Sequence, residues 1–229
     1  MHKKPLTAEE FVAQMQNDPD LLERKRKFEE KRQAEIQHHR VTAQPVLDEL
    51  KQAGFDLASL DELRRSGVAY RTAIPILLKC LPLISDPDVK ESIVRTLSVP
   101  WAKPTAALPL VAEFLSASEK ETGLKWAIGN ALAVVANESL FEQLCKLVRD
   151  RRHGTARQMV VLALGKMKNP RAIDVLIELL DDDEVSGHAL SSLLKLKARK
   201  ARPHFERFLN DPRGWVRKIA KRAVAKLEK

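Results

Sequence analysis

Residues 211–223 read Asp211-Pro212-Arg213-Gly214-Trp215-Val216-Arg217-Lys218-Ile219-Ala220-Lys221-Arg222-Ala223, and their spacing decides the fold. The Asp-Pro pair opens a helix: a carboxylate caps free N–H groups and a proline ring suits the first turn. Val216, Ala220, Ala223 and Val224 stand at i, i+4, i+7 and i+8, which is one stripe of an α-helix.

Upstream, the same stripe recurs at Val89, Ile93, Thr96 and Leu97, at Leu124, Ile128, Ala131 and Leu132, and at Ala156, Val160, Ala163 and Leu164. A first helix precedes each second one, beginning at Ala73, Ala107, Leu140, Ala172 and Ala201. Short polar turns join the two, at Ser85-Asp86-Pro87, Ser116-Ala117-Ser118, Arg149-Asp150-Arg151, Asp181-Asp182-Asp183 and Asn210-Asp211-Pro212. One helix pair cannot cover such a stripe by itself, whereas stacked pairs cover each other's. The expectation is an all-α fold, a right-handed α-solenoid of about five helical hairpins over 73–104, 105–137, 138–170, 171–200 and 201–229, with an N-terminal helical extension.

The motif Asp-Pro-x-x-x-Val-Arg-x-x-Ala-x-x-Ala at 211–223 resembles a HEAT repeat. The short period is similar to the phycobilin-lyase-type repeats. Asp150-Arg151-Arg152-His153-Gly154, together with the 45–67 stretch, resembles a group of uncharacterised bacterial HEAT-repeat proteins. The resemblance spans 73–229 and implies a binding scaffold; some bacterial relatives of this repeat type are immunity proteins that neutralise toxins. The HEAT-type deoxyhypusine hydroxylases carry His-Glu iron-ligand pairs, but no histidine here precedes a glutamate.

Residues 1–72 form an N-terminal helical segment expected to pack on the solenoid. Thr7 with Glu10 reads as a capping box for a helix through Phe11, Val12 and Met15. Asp18-Pro19 opens a longer, highly charged helix with a thin apolar seam of Leu22, Phe28 and Ile36, read either as a solvated helix held by its own ion pairs or as a dimerisation or partner helix without sustained heptads. Pro45 is expected to begin a separate helix closed by Gly54, and Ser59 with Glu62 to cap another, ended by Gly67.

Composition narrows the class further. Of 229 residues, 44% are apolar, 31% charged and only 5% aromatic, which suits close helix contacts and argues against sheets. Cys80 and Cys145 sit among leucines and read as buried free thiols of a reducing compartment. With neither an apolar leader at Met1–Thr7 nor an apolar run of about 20 residues, the expected location is cytoplasmic, away from membranes. The net charge is +9, yet residues 195–229 alone hold 13 basic against three acidic side chains. One end of the chain therefore carries the excess.

No HExxH, GxSxG, Walker loop or GxGxxG is present, so the expectation is a protein that is not an enzyme and uses neither metal nor cofactor. The candidate sites are surfaces. After the first apolar residue of each second helix comes the column Lys90, Lys125, Arg157, Gly187, Arg217. It suits either a structural ladder with turn aspartates such as Asp86, Asp150 and Asp211, or a line of cations on a concave face. Neighbouring columns hold Glu91, Trp126, Gln158, His188 and Lys218, then Arg95, Asn130, Leu162, Ser192 and Arg222; Trp126 suits either an anchor for a partner or packing between repeats. The concave candidates are thus Lys90, Lys125, Trp126, Asn130, Arg157, Gln158 and His188. The basic-end candidates are Lys195, Lys197, Arg199, Lys200, Arg217, Lys218, Lys221 and Arg222, with Trp215 expected in the core.

Two functions follow as expectations. The first is a non-enzymatic scaffold offering a concave groove and a basic end to a protein partner, of immunity or adaptor type. The alternative is nucleic-acid binding in the manner of the HEAT-like DNA glycosylases, through phosphate contacts of low sequence specificity. The oligomeric state is left open by the sequence.

Overall fold

A computed structural model describes residues 7, 16 and 18–227, the side chain of Pro104 excepted. The expected helix through Phe11, Val12 and Met15, with Glu10 at its start, lies outside the described residues. All regular structure among the described residues is helical, with no strand. The chain divides into two compact units, residues 1–44 and 45–229.

Helix α1 (Pro19–Gln52) begins in the first unit and ends in the second. Its exposed stretch is supported along its own length by Glu23–Lys27, Arg26–Glu30, Glu29–Arg32 and Lys31–Glu35 ion pairs. Solvent screening keeps the contribution of each small. The expected break at Pro45 is corrected, because α1 includes it as an interior residue. A proline there removes one hydrogen bond and crowds the carbonyl four residues back. Burial of Val46, Leu47 and Leu50 directly after it holds the remaining turns helical. Gly54 then ends the helix at φ 90°, with Phe55 N–H donating to Leu50 C=O and Gly54 N–H to Lys51 C=O. This turn needs a left-handed residue, and glycine supplies it without steric cost.

In the second unit, α2 (Leu60–Arg65) is followed by helix pairs α3 (Ala73–Cys80) with α4 (Pro87–Leu97), and α5 (Lys103–Ser116) with α6 (Thr122–Val135). Then come α7 (Phe141–Arg149) with α8 (Gln158–Leu164), α9 (Arg171–Glu178) with α10 (Ser186–Lys195), and α11 (Arg202–Glu206) with α12 (Gly214–Leu227). Each first helix packs on its own second helix. The second helices also form a continuous row, α2 on α4, α4 on α6, α6 on α8, α8 on α10 and α10 on α12. The apolar stripes read from the sequence fill this row: all the residues named for α4, α6, α8 and the turn before α8 are buried. On α12, Val216, Ala220 and Ala223 are buried and Val224 is half-buried.

Caps follow the turn chemistry. The Asp86 side chain accepts from the Asp88 and Val89 N–H groups, and Asp150 accepts from Arg152 N–H. At Ser59 the expected box does not form, since the hydroxyl makes no cap bond and Glu62 accepts from Ala58 N–H, one residue before the cap. Successive first helices are stitched at their surfaces by Arg171–Glu142, Arg149–Glu178, Lys200–Asp174 and Arg207–Asp181.

Candidate binding site

The column of cations at the starts of the second helices turns inward. Lys90 pairs with Glu113 of α5, and both side chains are largely shielded from water. Lys125 is 2% exposed; its Nζ lies 3.3 Å from His153 Nδ1 and 5.5 Å over the Phe114 ring. Arg157 is fully buried. Its Nε donates to Gly154 C=O at 2.9 Å and its Nη1 to Val148 C=O at 3.0 Å and to Asp182 at 2.7 Å. Its Nη2 reaches Glu184 at 2.6 Å.

Two expected surface cations are therefore corrected. Lys125 and Arg157 offer nothing to a partner, because their charges are spent on joining one helix pair to the next. The ladder partners of the earlier units also differ from the expected Asp86 and Asp150, whereas Asp211 keeps its expected place at the last unit, beside Arg213 and Arg217. Asp86 and Asp150 cap their own turns, while the acids that meet the column, Glu113, Asp182 and Glu184, come from the following unit.

The column breaks at Gly187 for a steric reason. A Cβ there would lie 2.2 Å from Trp215 Cη2. The tryptophan of the next pair fills the space, and Arg213 takes over the ladder role. Its guanidinium donates to Ser186 Oγ and Asp183 C=O, each at 2.9 Å, and pairs with Asp211. Arg217 instead donates to the Asp211 and Pro212 carbonyls. Trp215 is not a core residue, as expected from the sequence, but 47% exposed.

What faces outward on the second helices is the neighbouring column. Arg64, Arg95, Ser98, Trp126 and Asn130 line a depression of about 420 Å³. Glu91, Arg95, Thr122, Trp126, Thr155 and Gln158 line a second, of about 320 Å³. Thr155, Gln158, Glu184, His188, Arg213 and Trp215 line a third, of about 520 Å³. Shared residues link them: Trp126 and Arg95 join the first two, Thr155 and Gln158 the last two. Trp126 is 44% exposed, and its backbone carbonyl accepts from Asn130 Nδ2 at 3.0 Å. Gln158 Nε2 donates to Glu184 C=O, and His188 meets the Trp215 ring edge-on at 5.4 Å. Of the expected concave set, Trp126, Asn130, Gln158 and His188 thus lie along one linked run.

The basic-end residues separate into two groups. Lys195, Lys197, Arg199 and Arg222 converge with Lys226 on a cleft of about 720 Å³ between α10 and α12, completed by Ser191, Leu194, Ile219 and Leu227. Lys200 is tied to Asp174, and Arg217 to backbone carbonyls. Lys218 and Lys221 are exposed on α12 outside the cleft.

Burial pushes the pKa of His153 and His188 down. His153 is lowered by desolvation and then by Lys125, against a smaller opposing pull from Asp150. His188 is lowered by desolvation and by Arg213. Cys80 and Cys145 are buried free thiols whose pKa burial pushes up. Among the described residues, no group of three or more His, Cys, Asp or Glu is placed to hold a metal ion. No helix among them is long and apolar enough to cross a membrane.

Residues 117–188, from the turn before α6 into α10, match the family model of HEAT repeats. This stretch of the chain carries HEAT-like repeats, and repeats of this kind commonly serve as protein-interaction scaffolds. No curated protein and no solved structure matches the chain.

Proposed function

We propose that the chain is a non-enzymatic cytoplasmic scaffold, of adaptor or immunity type, that seats a protein partner along the linked depressions of its second helices. The basic C-terminal end adds long-range attraction for an acidic partner surface. The observation that carries this reading is Trp126, half exposed and shared by two adjoining depressions. A soluble helix row gains nothing from an indole held at its surface, whereas a binding surface gains a rigid anchor with large contact area. The buried ionisable groups Glu113, Lys125, Arg157 and Asp182 are each bonded to another side chain of the stack, which supports a structural rather than catalytic use.

The test is affinity capture from a lysate of the native host with the wild-type chain and Trp126→Ala. The expected result is a stoichiometric protein partner whose affinity falls about thirtyfold or more on loss of the indole. Thermal stability should stay near the wild-type value. Recovery of nucleic acid in place of protein, or a partner indifferent to Trp126→Ala, would refute the proposal.

A further inference from the structure

The cleft between α10 and α12 holds more positive charge than the fold needs. Five of its lining residues are cations, Lys195, Lys197, Arg199, Arg222 and Lys226, and no acid among the described residues lines it. The two helix ends nearby would balance only about one unit of charge between them. Basic residues just outside the cleft are neutralised: Lys200 by Asp174, Arg202 by Glu206 at 3.0 Å and Arg207 by Asp181 at 2.7 Å. Among the described residues, Lys195, Lys197, Arg222 and Lys226 have no such carboxylate.

Backbone geometry supplies an independent observation. Lys197 has φ 53°, the left-handed region, and is the one non-glycine residue there among those described. Its N–H donates to Leu194 C=O and the next N–H, of Ala198, to Leu193 C=O. The same pair of bonds closes α1, where the chain uses Gly54. A side chain at this position is disfavoured for an L-residue, so a lysine there forgoes stability that glycine would supply. What the lysine adds is a cation on the wall of the cleft.

We propose that this cleft binds a compact polyphosphate, either inorganic or as the phosphate tail of a nucleotide. The inference goes beyond the scaffold reading and does not depend on it. The cleft's 720 Å³ falls within the range of small-molecule sites, about 300–1,000 Å³. Specific duplex recognition would spread over about 600 Å² or more of surface. No aromatic ring among the described residues lines the cleft to stack a base. Leu194, Ile219 and Leu227 give it apolar walls, which strengthen each phosphate contact by lowering the local polarity.

The experiment is isothermal titration of the full chain with tripolyphosphate, ATP and orthophosphate at fixed ionic strength, with melting curves of each variant. Tripolyphosphate or ATP is expected to bind one site per chain, at least about tenfold tighter than orthophosphate because more charge-assisted contacts form at once. Whichever of the two binds tighter identifies the source. Arg222→Gln with Lys226→Gln should weaken binding about a hundredfold. Lys197→Gly should weaken it about tenfold while raising the melting temperature by about 2–4 °C. Trp126→Ala should leave it unchanged, which separates this site from the scaffold surface. The proposal is overturned by absent saturation, by binding that survives the Arg222/Lys226 double change, or by a mixed-sequence oligonucleotide that binds more tightly as it lengthens.

Discussion

Arg157 holds the junction between α8 and α10, and replacing it with methionine isolates that role. The substitution keeps much of the side-chain volume but deletes bonds to Gly154, Val148, Asp182 and Glu184. Glu184 is well exposed and regains water. Asp182, 7% exposed, keeps a charge within the stack, and its chief remaining cation is Arg151 at 3.5 Å. Breaking a buried pair in this way costs about 3–5 kcal/mol, because the surviving charge stays desolvated. Domains have about 5–15 kcal/mol in all, so the variant should lose a large fraction of its stability. Urea unfolding at pH 7 should show the midpoint falling with little change in slope. Adding Asp182→Leu should restore at least about 1 kcal/mol relative to the sum of the single changes, since the stranded charge goes too. A single change costing less than about 1 kcal/mol, or strictly additive losses, would show that this pair does not hold the junction.

Gly187→Ala should push Trp215 out of its seat, at a cost of about 1–3 kcal/mol and with a red shift in tryptophan emission; an unshifted spectrum with wild-type stability would contradict the packing described for α10 and α12. Acid should weaken the fold through His153 and His188. Both have a folded pKa below the ordinary value of about 6.5, so the unfolded chain takes up protons first. Their contribution is complete above about pH 6.5 and declines as pH falls below that value, by at most about 1.4 kcal/mol per pH unit for each ring. Urea midpoints measured from pH 7.5 to 5 check this, and His153→Gln with His188→Gln should flatten the profile. A wild-type profile that is already flat would refute it.

Periodicity made the row of second helices legible before any coordinates. A stripe at i, i+4, i+7 and i+8 has only one way to be buried, and Val89, Leu132, Val160 and Ala220 occupy it as spacing required. Charge was less legible. Lys125 and Arg157 look in sequence like Lys218, yet the first two are interior because Phe114, His153 and Asp182 meet them from other helices. Nothing local to a lysine announces that. Gly187 held a readable signal, a gap in a cationic column, but its explanation sits 28 residues on, in Trp215. Pro45 misled for the opposite reason: a local rule gave way to burial of Val46, Leu47 and Leu50. At the basic end, composition located Lys195, Lys197 and Arg222, but only tertiary structure separates them from Lys200, which Asp174 neutralises.

The nearest-neighbour arrangement of the second helices also shapes how the molecule breathes. Helix α6 is clasped by α4 on one side and α8 on the other, and α10 likewise by α8 and α12. Opening any one of these helices must tear two seams at once, which couples the motions of neighbouring pairs. The cations of the α10–α12 cleft line one of those seams. An anion lodged there would act as a rivet, holding the last two rungs of the row shut.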